Sequence, residues 1–145
     1  MSDKEIIIVN DKDEIIGYKD RKLVRDDEIC RVTGLWLEND KGEILLAQRA
    51  LDKRYGPGKW GPACSGTVEE GETYDENIYK EAREEIGLEG IKFKQGPKKL
   101  VQQSHFYFAK WYFAKVNKKI EEFKIDKKEV EAIRWISLDN LKKEV

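Results

Sequence analysis

Between Gly66 and Leu88 the chain reads GTVEEGETYDENIYKEAREEIGL, which gathers Glu69, Glu70, Glu72, Asp75, Glu76, Glu81, Glu84 and Glu85 into one segment framed by glycines. On a helix turning about 100° per residue, the i, i+3, i+4 spacing sets Glu81, Glu84 and Glu85 in one narrow sector. Side chains about 5–6 Å apart repel by about 3 kcal/mol per like-charged pair at an effective dielectric near 20. In open water the penalty falls below about 1 kcal/mol, so the same residues could form a solvated acidic face. If the face lines a cleft, a divalent cation relieves the repulsion, and an all-oxygen donor set selects Mg²⁺ or Mn²⁺ over zinc. Glu72 lies in the loop just ahead, placed to turn back toward the same face.

Other residues carry weaker signals. Arg49, Lys53, Arg54 and Lys59 precede the acidic segment, where they could meet phosphates or form a solvated basic loop. Trp36, Trp60, Tyr107 and Trp111 could stack a base, although filling the interior is the commoner role of large aromatics. Asp11 and Asp13 lack the glycine and closing glutamate of a calcium loop at the required spacing and read as a polar turn. His105 is the only histidine, and Cys30 and Cys64 are the only cysteines.

The elements that must position these groups follow from pattern. EIIIVN and EIIGYK flank DKD as a β-hairpin over residues 5–19. RVTGLWLEND and KGEILLAQRA read as a second hairpin turning at Asn39–Gly42. LDKRYGPGKWGPACSG carries two of the three prolines and is expected to be loop or irregular strand. YDENIYKEAREEIG is the clearest helix, with Thr73 as N-cap and Gly87 as its end, and Ile78, Ala82 and Ile86 form its packing stripe. SHFYFAKWYFAKV suits a strand near the middle of a sheet, VEAIRWI is a further strand, and Ser137 opens a short last helix. Strands and helices mix without strict alternation, which favours a mixed sheet with helices packed against it.

At 145 residues the expectation is a single domain over 1–145. The formal net charge of −1 argues against a nucleic-acid partner. No apolar run nears the roughly 20 residues of a spanning helix, and MSDKEIIIVN lacks a signal-peptide pattern, so a cytoplasmic protein with no membrane partner is expected. Two cysteines imply no disulfide framework. A homodimer stays open as the assembly.

The segment resembles the signature of the Nudix hydrolase family, G-x5-E-x7-R-E-U-x-E-E-x-G-U with U aliphatic. Gly66, Glu72, Glu81, Ala82, Glu84, Glu85, Gly87 and Leu88 fall in register, and Lys80 replaces the arginine. KGEILLAQRA, GPGKWGPACSG and IRWISLDNL are similar to flanking parts of the family domain. The resemblance implies an α/β fold, the Nudix α/β/α sandwich on a mixed β-sheet. It further implies metal-dependent cleavage of a diphosphate linkage in a small-molecule nucleoside diphosphate derivative, with Mg²⁺ or Mn²⁺ as cofactor. Glu81, Glu84 and Glu85 are then the metal ligands, and Glu72 and Glu84 the catalytic carboxylates, with Glu121, Glu122 and Glu129 as other candidates for the base. Arg49, Lys53, Arg54, Lys59 and Gly66 are expected at the substrate, and Lys80 and Gly87 brace the box. Lysine keeps the arginine's charge but loses its planar fork.

The N-terminal hairpin and QRALDKRYGPGKW also resemble isopentenyl-diphosphate isomerase of the same superfamily. The resemblance fails at the site. Ser65 stands where the isomerase has cysteine, Thr67 and Cys30 where it has metal-binding histidines, and Cys64 lies one position early. An isomerase-like enzyme and a nucleotide-binding Nudix domain without catalysis remain the alternatives to a hydrolase.

Overall fold

The computed structural model describes residues 4–53 and 56–144. Strands β1 (Ile6–Val9) and β2 (Ile15–Lys19) form the expected N-terminal hairpin. The axis of the fold is β3 (Ile29–Glu38). Along one edge β3 runs parallel to β8 (Phe106–Lys115) from Cys30 to Glu38. Its other edge is shared in turn by β1, by β6 (Cys64–Thr67) and, at Glu38 and Ile44 alone, by β4 (Glu43–Arg49). Strand β9 (Val130–Ser137) lies antiparallel along β4, and the short β5 (Trp60–Gly61) pairs with the far end of β4. Strand β7 (Lys94–Gln102) covers the outer edge of β8. One parallel pairing among antiparallel ones makes the sheet mixed.

Side-chain alternation puts the helices on opposite faces. Leu35 and Leu37 of β3 and Leu45 and Ala47 of β4 pack with Ile78, Ala82 and Ile86 of helix α1 (Tyr74–Ile86). Ile44, Leu46, Trp36 and Ile136 point the other way, onto Leu141 of helix α2 (Leu138–Glu144). This is the expected α/β/α sandwich. Ile78 and Ile86 are fully buried, each stabilising the helix–sheet contact by about 1.5–3 kcal/mol.

Helix α1 has the expected ends. The Thr73 hydroxyl accepts from the Glu76 N–H at 3.1 Å while the Glu76 carboxylate accepts from the Thr73 N–H at 3.0 Å, a reciprocal cap. At the far end Gly87 takes φ 67°, and the Leu88 N–H returns to the Ala82 carbonyl at 3.0 Å. Ser137 opens α2 by accepting from the Asn140 N–H.

Two expectations change. The turn at Asn39–Gly42 forms, with the Asn39 side-chain oxygen accepting from the Lys41 and Glu43 N–H groups, but its strands are not a hairpin beyond the mouth. They splay because Leu35 and Leu37 on one and Leu45 and Ala47 on the other share a core with α1, and β4 turns to β9 for its hydrogen bonds. The lysine-rich segment of β7 was not expected to be a strand. It tolerates Gly96 and Pro97 because it lies at the sheet edge with a register shift between Gln95 and Lys98. Among the described residues no helix is long and apolar enough to cross a membrane.

Candidate active site

Strand β6 and helix α1 build the site between them. Gly66 has no side chain, and the Glu81 carboxyl occupies the space where one would be. A Cβ at Gly66 would lie 2.5 Å from Glu81 Cγ and 2.6 Å from its Cδ. One turn on, Glu85 accepts from the Ser65 N–H at 3.4 Å, and the Glu81 and Glu85 carboxyls hydrogen-bond each other. Burial raises the pKa of both acids. For Glu85 burial, the hydrogen bond to Glu81 and the Glu81 charge push it up to about 9, so the pair holds a proton in neutral water. The nearest ammonium, Lys80 Nζ, stands 3.8 Å from Glu81 Oε1 and is engaged elsewhere. Two adjacent half-buried carboxyls offering oxygen donors only fit a hard divalent cation.

Glu84 does not join them. The sector splits, because Glu81 and Glu85 face β6 while Glu84 is exposed, on a groove with Arg83, Glu122, Lys124 and Asp126. Its charge still reaches Glu81 and helps to raise that acid. Among the described residues no three His, Cys, Asp or Glu side chains are gathered as a complete metal centre.

The loop before α1 is held by Lys80. Its ammonium bonds Glu72 Oε2 at 2.6 Å and Glu69 Oε1 at 3.0 Å. Burial opposes the lysine's charge, but the two carboxylates outweigh it and raise its pKa to about 12. The other Glu72 oxygen accepts from the Glu69 N–H at 2.8 Å and from Asn77 Nδ2 at 3.2 Å. Burial alone would raise the Glu72 pKa, yet Lys80 and these donors leave it lowered. Both Glu72 oxygens are thus engaged in holding the loop to Lys80, Glu69 and Asn77. The sequence reading missed Glu69, 5% exposed, and Asn77, fully buried and bonded to Thr33 at 2.5 Å and to the Thr67 carbonyl at 3.2 Å. Asn77 had a signal, for it lies four residues before Glu81 on the same helical stripe.

The cations ahead of the box fare unevenly. Arg49 ends β4 beside Gly56, with its backbone bonded to Lys59 and Gly58. Lys53 pairs with Glu129, whose charge also acts on Glu85. Lys59 is exposed, and Arg54 lies outside the described residues. Glu122 caps the 3-10 turn at Ile120–Glu122 through the Lys119 N–H. Of the aromatics, Trp36 packs on the α2 side and the Trp111 ring lies against Gly34. Trp60 is 40% exposed beneath the Arg134 guanidinium at 4.6 Å.

Cys64 points from β6 into the core, 2% exposed. Burial, then the charges of Glu85 and Glu81, raises its thiol well above the ordinary range, and burial pushes Cys30 up to about 11. Neither is a thiolate in neutral water.

A family model for the NUDIX domain matches residues 29–145. The chain belongs to the Nudix family. A Nudix hydrolase of Deinococcus radiodurans is 33% identical over 94 residues, covering 61% of this chain and 53% of that protein. An isopentenyl-diphosphate Delta-isomerase of an Enterobacter species is 32% identical over 88 residues, covering 59% of this chain and 48% of that protein. The chain thus spans about half the length of the relatives it matches. Among solved structures, a protein from Deinococcus radiodurans superposes with a TM-score of 0.85 at 22% identity, over 97% of this chain and 88% of that one, and so has the same fold. In this Nudix chain the box is the turn, helix and loop just described, with Gly66, Glu81 and Glu85 in contact and Lys80 tying its loop.

Proposed function

We propose that this Nudix chain hydrolyses a diphosphate linkage in a nucleoside diphosphate derivative, with Mg²⁺ or Mn²⁺ at Glu81 and Glu85. The observation that carries the reading is the half-buried pair of carboxyls pressed on the Gly66 backbone, with the Lys80 ammonium 3.8 Å away and shared with Glu69 and Glu72. A divalent cation bound there supplies positive charge that neutralises the diphosphate and acidifies water. Glu81 and Glu85 hold the cation by their carboxylate oxygens. Glu84, on the exposed flank, and Glu129, which would have to leave Lys53, are the groups that could complete the donor set or take a proton from the attacking water. Glu72 and Lys80 keep the loop in place, and Arg49, Lys53, Arg54, Lys59 and the Gly66 backbone meet the substrate phosphates. Two unpaired cysteines suit a reducing cytoplasm.

Cys64 is buried in the core, where its thiol cannot reach a substrate carbon, which supports hydrolysis over isomerisation. The test is release of phosphate or mononucleotide from a panel of nucleoside diphosphate derivatives with Mg²⁺ or Mn²⁺, beside an assay for interconversion of isopentenyl and dimethylallyl diphosphate. Metal-dependent release with no isomerisation is expected. Isomerisation without release, or nucleotide binding without turnover, would overturn the reading.

A further inference from the structure

The N-terminal hairpin lies ahead of the residues the NUDIX model matches, yet it is bonded to the box itself. The Ile7 N–H donates to the Val68 carbonyl at 3.2 Å, and the Glu70 N–H donates to the Glu5 carbonyl at 2.8 Å. The Glu5 N–H donates to Glu70 Oε1 at 3.3 Å, and Ile6 and Glu69 form a β-bridge. Strand β1 is thus the neighbour of the loop between Gly66 and Glu72.

The hairpin tip makes a second attachment. Asp13 has φ 62°, the one positive φ of a non-glycine among the described residues, and its side chain is 7% exposed. Its carboxylate accepts from Lys98 Nζ at 2.7 Å, Arg31 Nε at 2.8 Å and the Tyr74 hydroxyl at 2.9 Å, and its carbonyl accepts from Arg31 Nη2 at 2.8 Å. A polar surface turn needs neither a left-handed aspartate nor a buried carboxylate with three donors. Burial alone would raise the Asp13 pKa, but Lys98, Arg31 and Tyr74 outweigh it and keep the group ionised. Tyr74 is the first residue of α1, next to its cap and two residues from Glu72.

We infer that Asp13 is a positioning residue for the metal site. Through Tyr74 it fixes where the box helix begins. Together with β1 it fixes the loop on which Glu69 and Glu72 hold Lys80 beside Glu81. What the positioned carboxylates then do rests on the function proposed above.

The test uses Asp13→Gly, which keeps φ 62° without strain and removes only the carboxylate. Tyr74→Phe and the double variant accompany it. In Asp13→Gly the Glu69, Glu70 and Glu72 amides should exchange hydrogen about tenfold faster relative to the core amide of Leu45, as a loosened local unit does. Mn²⁺ affinity should fall about fivefold, and kcat should fall while KM changes less, because the loss lies in placement. Asp13→Asn, which keeps an acceptor and tolerates the left-handed conformation, should recover part of each. Tyr74→Phe should act in the same direction, with the double variant no worse than Asp13→Gly alone, since one contact is broken twice. Should Asp13→Gly not fold, Tyr74→Phe carries the same expectations. Unchanged loop exchange and Mn²⁺ affinity would overturn the inference even if the melting temperature fell. A protein that hydrolyses nothing while its loop and Mn²⁺ affinity respond to Asp13→Gly would overturn the proposed function and support the positioning role.

Discussion

Replacing Gly66 by alanine separates stability from function more sharply than any other single change. The new Cβ would lie 2.5 Å from Glu81 Cγ, 2.6 Å from Cδ and 2.8 Å from Oε1. Ordinary carbon contacts lie near 3.5–4.0 Å, so the carboxyl must retreat by about 1 Å. Glu81 is a flexible side chain at a half-buried site and can swing outward, at the cost of its hydrogen bond to Glu85. Gly66 has no positive φ, so alanine fits the backbone and narrows the unfolded ensemble, a gain of about 0.4–1 kcal/mol. These effects nearly cancel, and the melting temperature should stay within about 4 °C of wild type. A carboxylate displaced by about 1 Å should by contrast lower kcat about 10²-fold. The assay is metal-dependent turnover on the best substrate beside thermal melting with and without Mg²⁺. Wild-type turnover and a wild-type Mg²⁺ shift in Gly66→Ala would refute the assignment of Glu81 as a ligand.

Lys80→Ala should destabilise by about 1–3 kcal/mol, because it leaves the buried Glu69 and the bonded Glu72 without their shared cation; Lys80→Arg should retain stability, and calorimetric melting distinguishes them. Metal-free protein should lose stability as pH rises from about 4.5 toward 9. Glu85 is raised to about 9, so in that window the native state holds a proton the unfolded chain has released. Stability is therefore fullest below the unfolded pKa and falls by at most about 1.4 kcal/mol per pH unit, and saturating Mg²⁺ should flatten that slope in melts between pH 5 and 9. Cys64→Ala should cost stability from a small core cavity, roughly 1–2 kcal/mol, while nucleotide hydrolysis stays near wild type; loss of turnover at unchanged folding would give the thiol a chemical role.

What the sequence made legible was mostly local. Thr73 and Gly87 mark the ends of α1 because caps depend on a few neighbouring residues, and Glu81 and Glu85 follow from helical spacing once a glycine strand is set against them. Glu84 shares the spacing but lies exposed on the helix while Glu81 and Glu85 face β6, because spacing alone does not say which part of a stripe a neighbouring strand covers. Glu69 and Asp13 were invisible as site residues, since each gains its role from a segment far along the chain: Glu69 from Lys80 and β1, Asp13 from Arg31, Tyr74 and Lys98. The splaying of β3 and β4 was hidden for the same reason. Their turn is local, whereas the preference of β4 for β9 is not.

The most direct measurement is the thermal shift produced by Mg²⁺ or Mn²⁺ in wild type and in the double variant Glu81→Gln, Glu85→Gln, at pH 8. In wild type a concentration of 100 Kd should stabilise by about 2.7 kcal/mol. The double variant should be more stable than wild type without metal, because at pH 8 it no longer has to take up a proton to fold the pair into place, and it should gain nothing when metal is added. A double variant that keeps the full wild-type shift would put the cation somewhere other than this pair and contradict the proposed site.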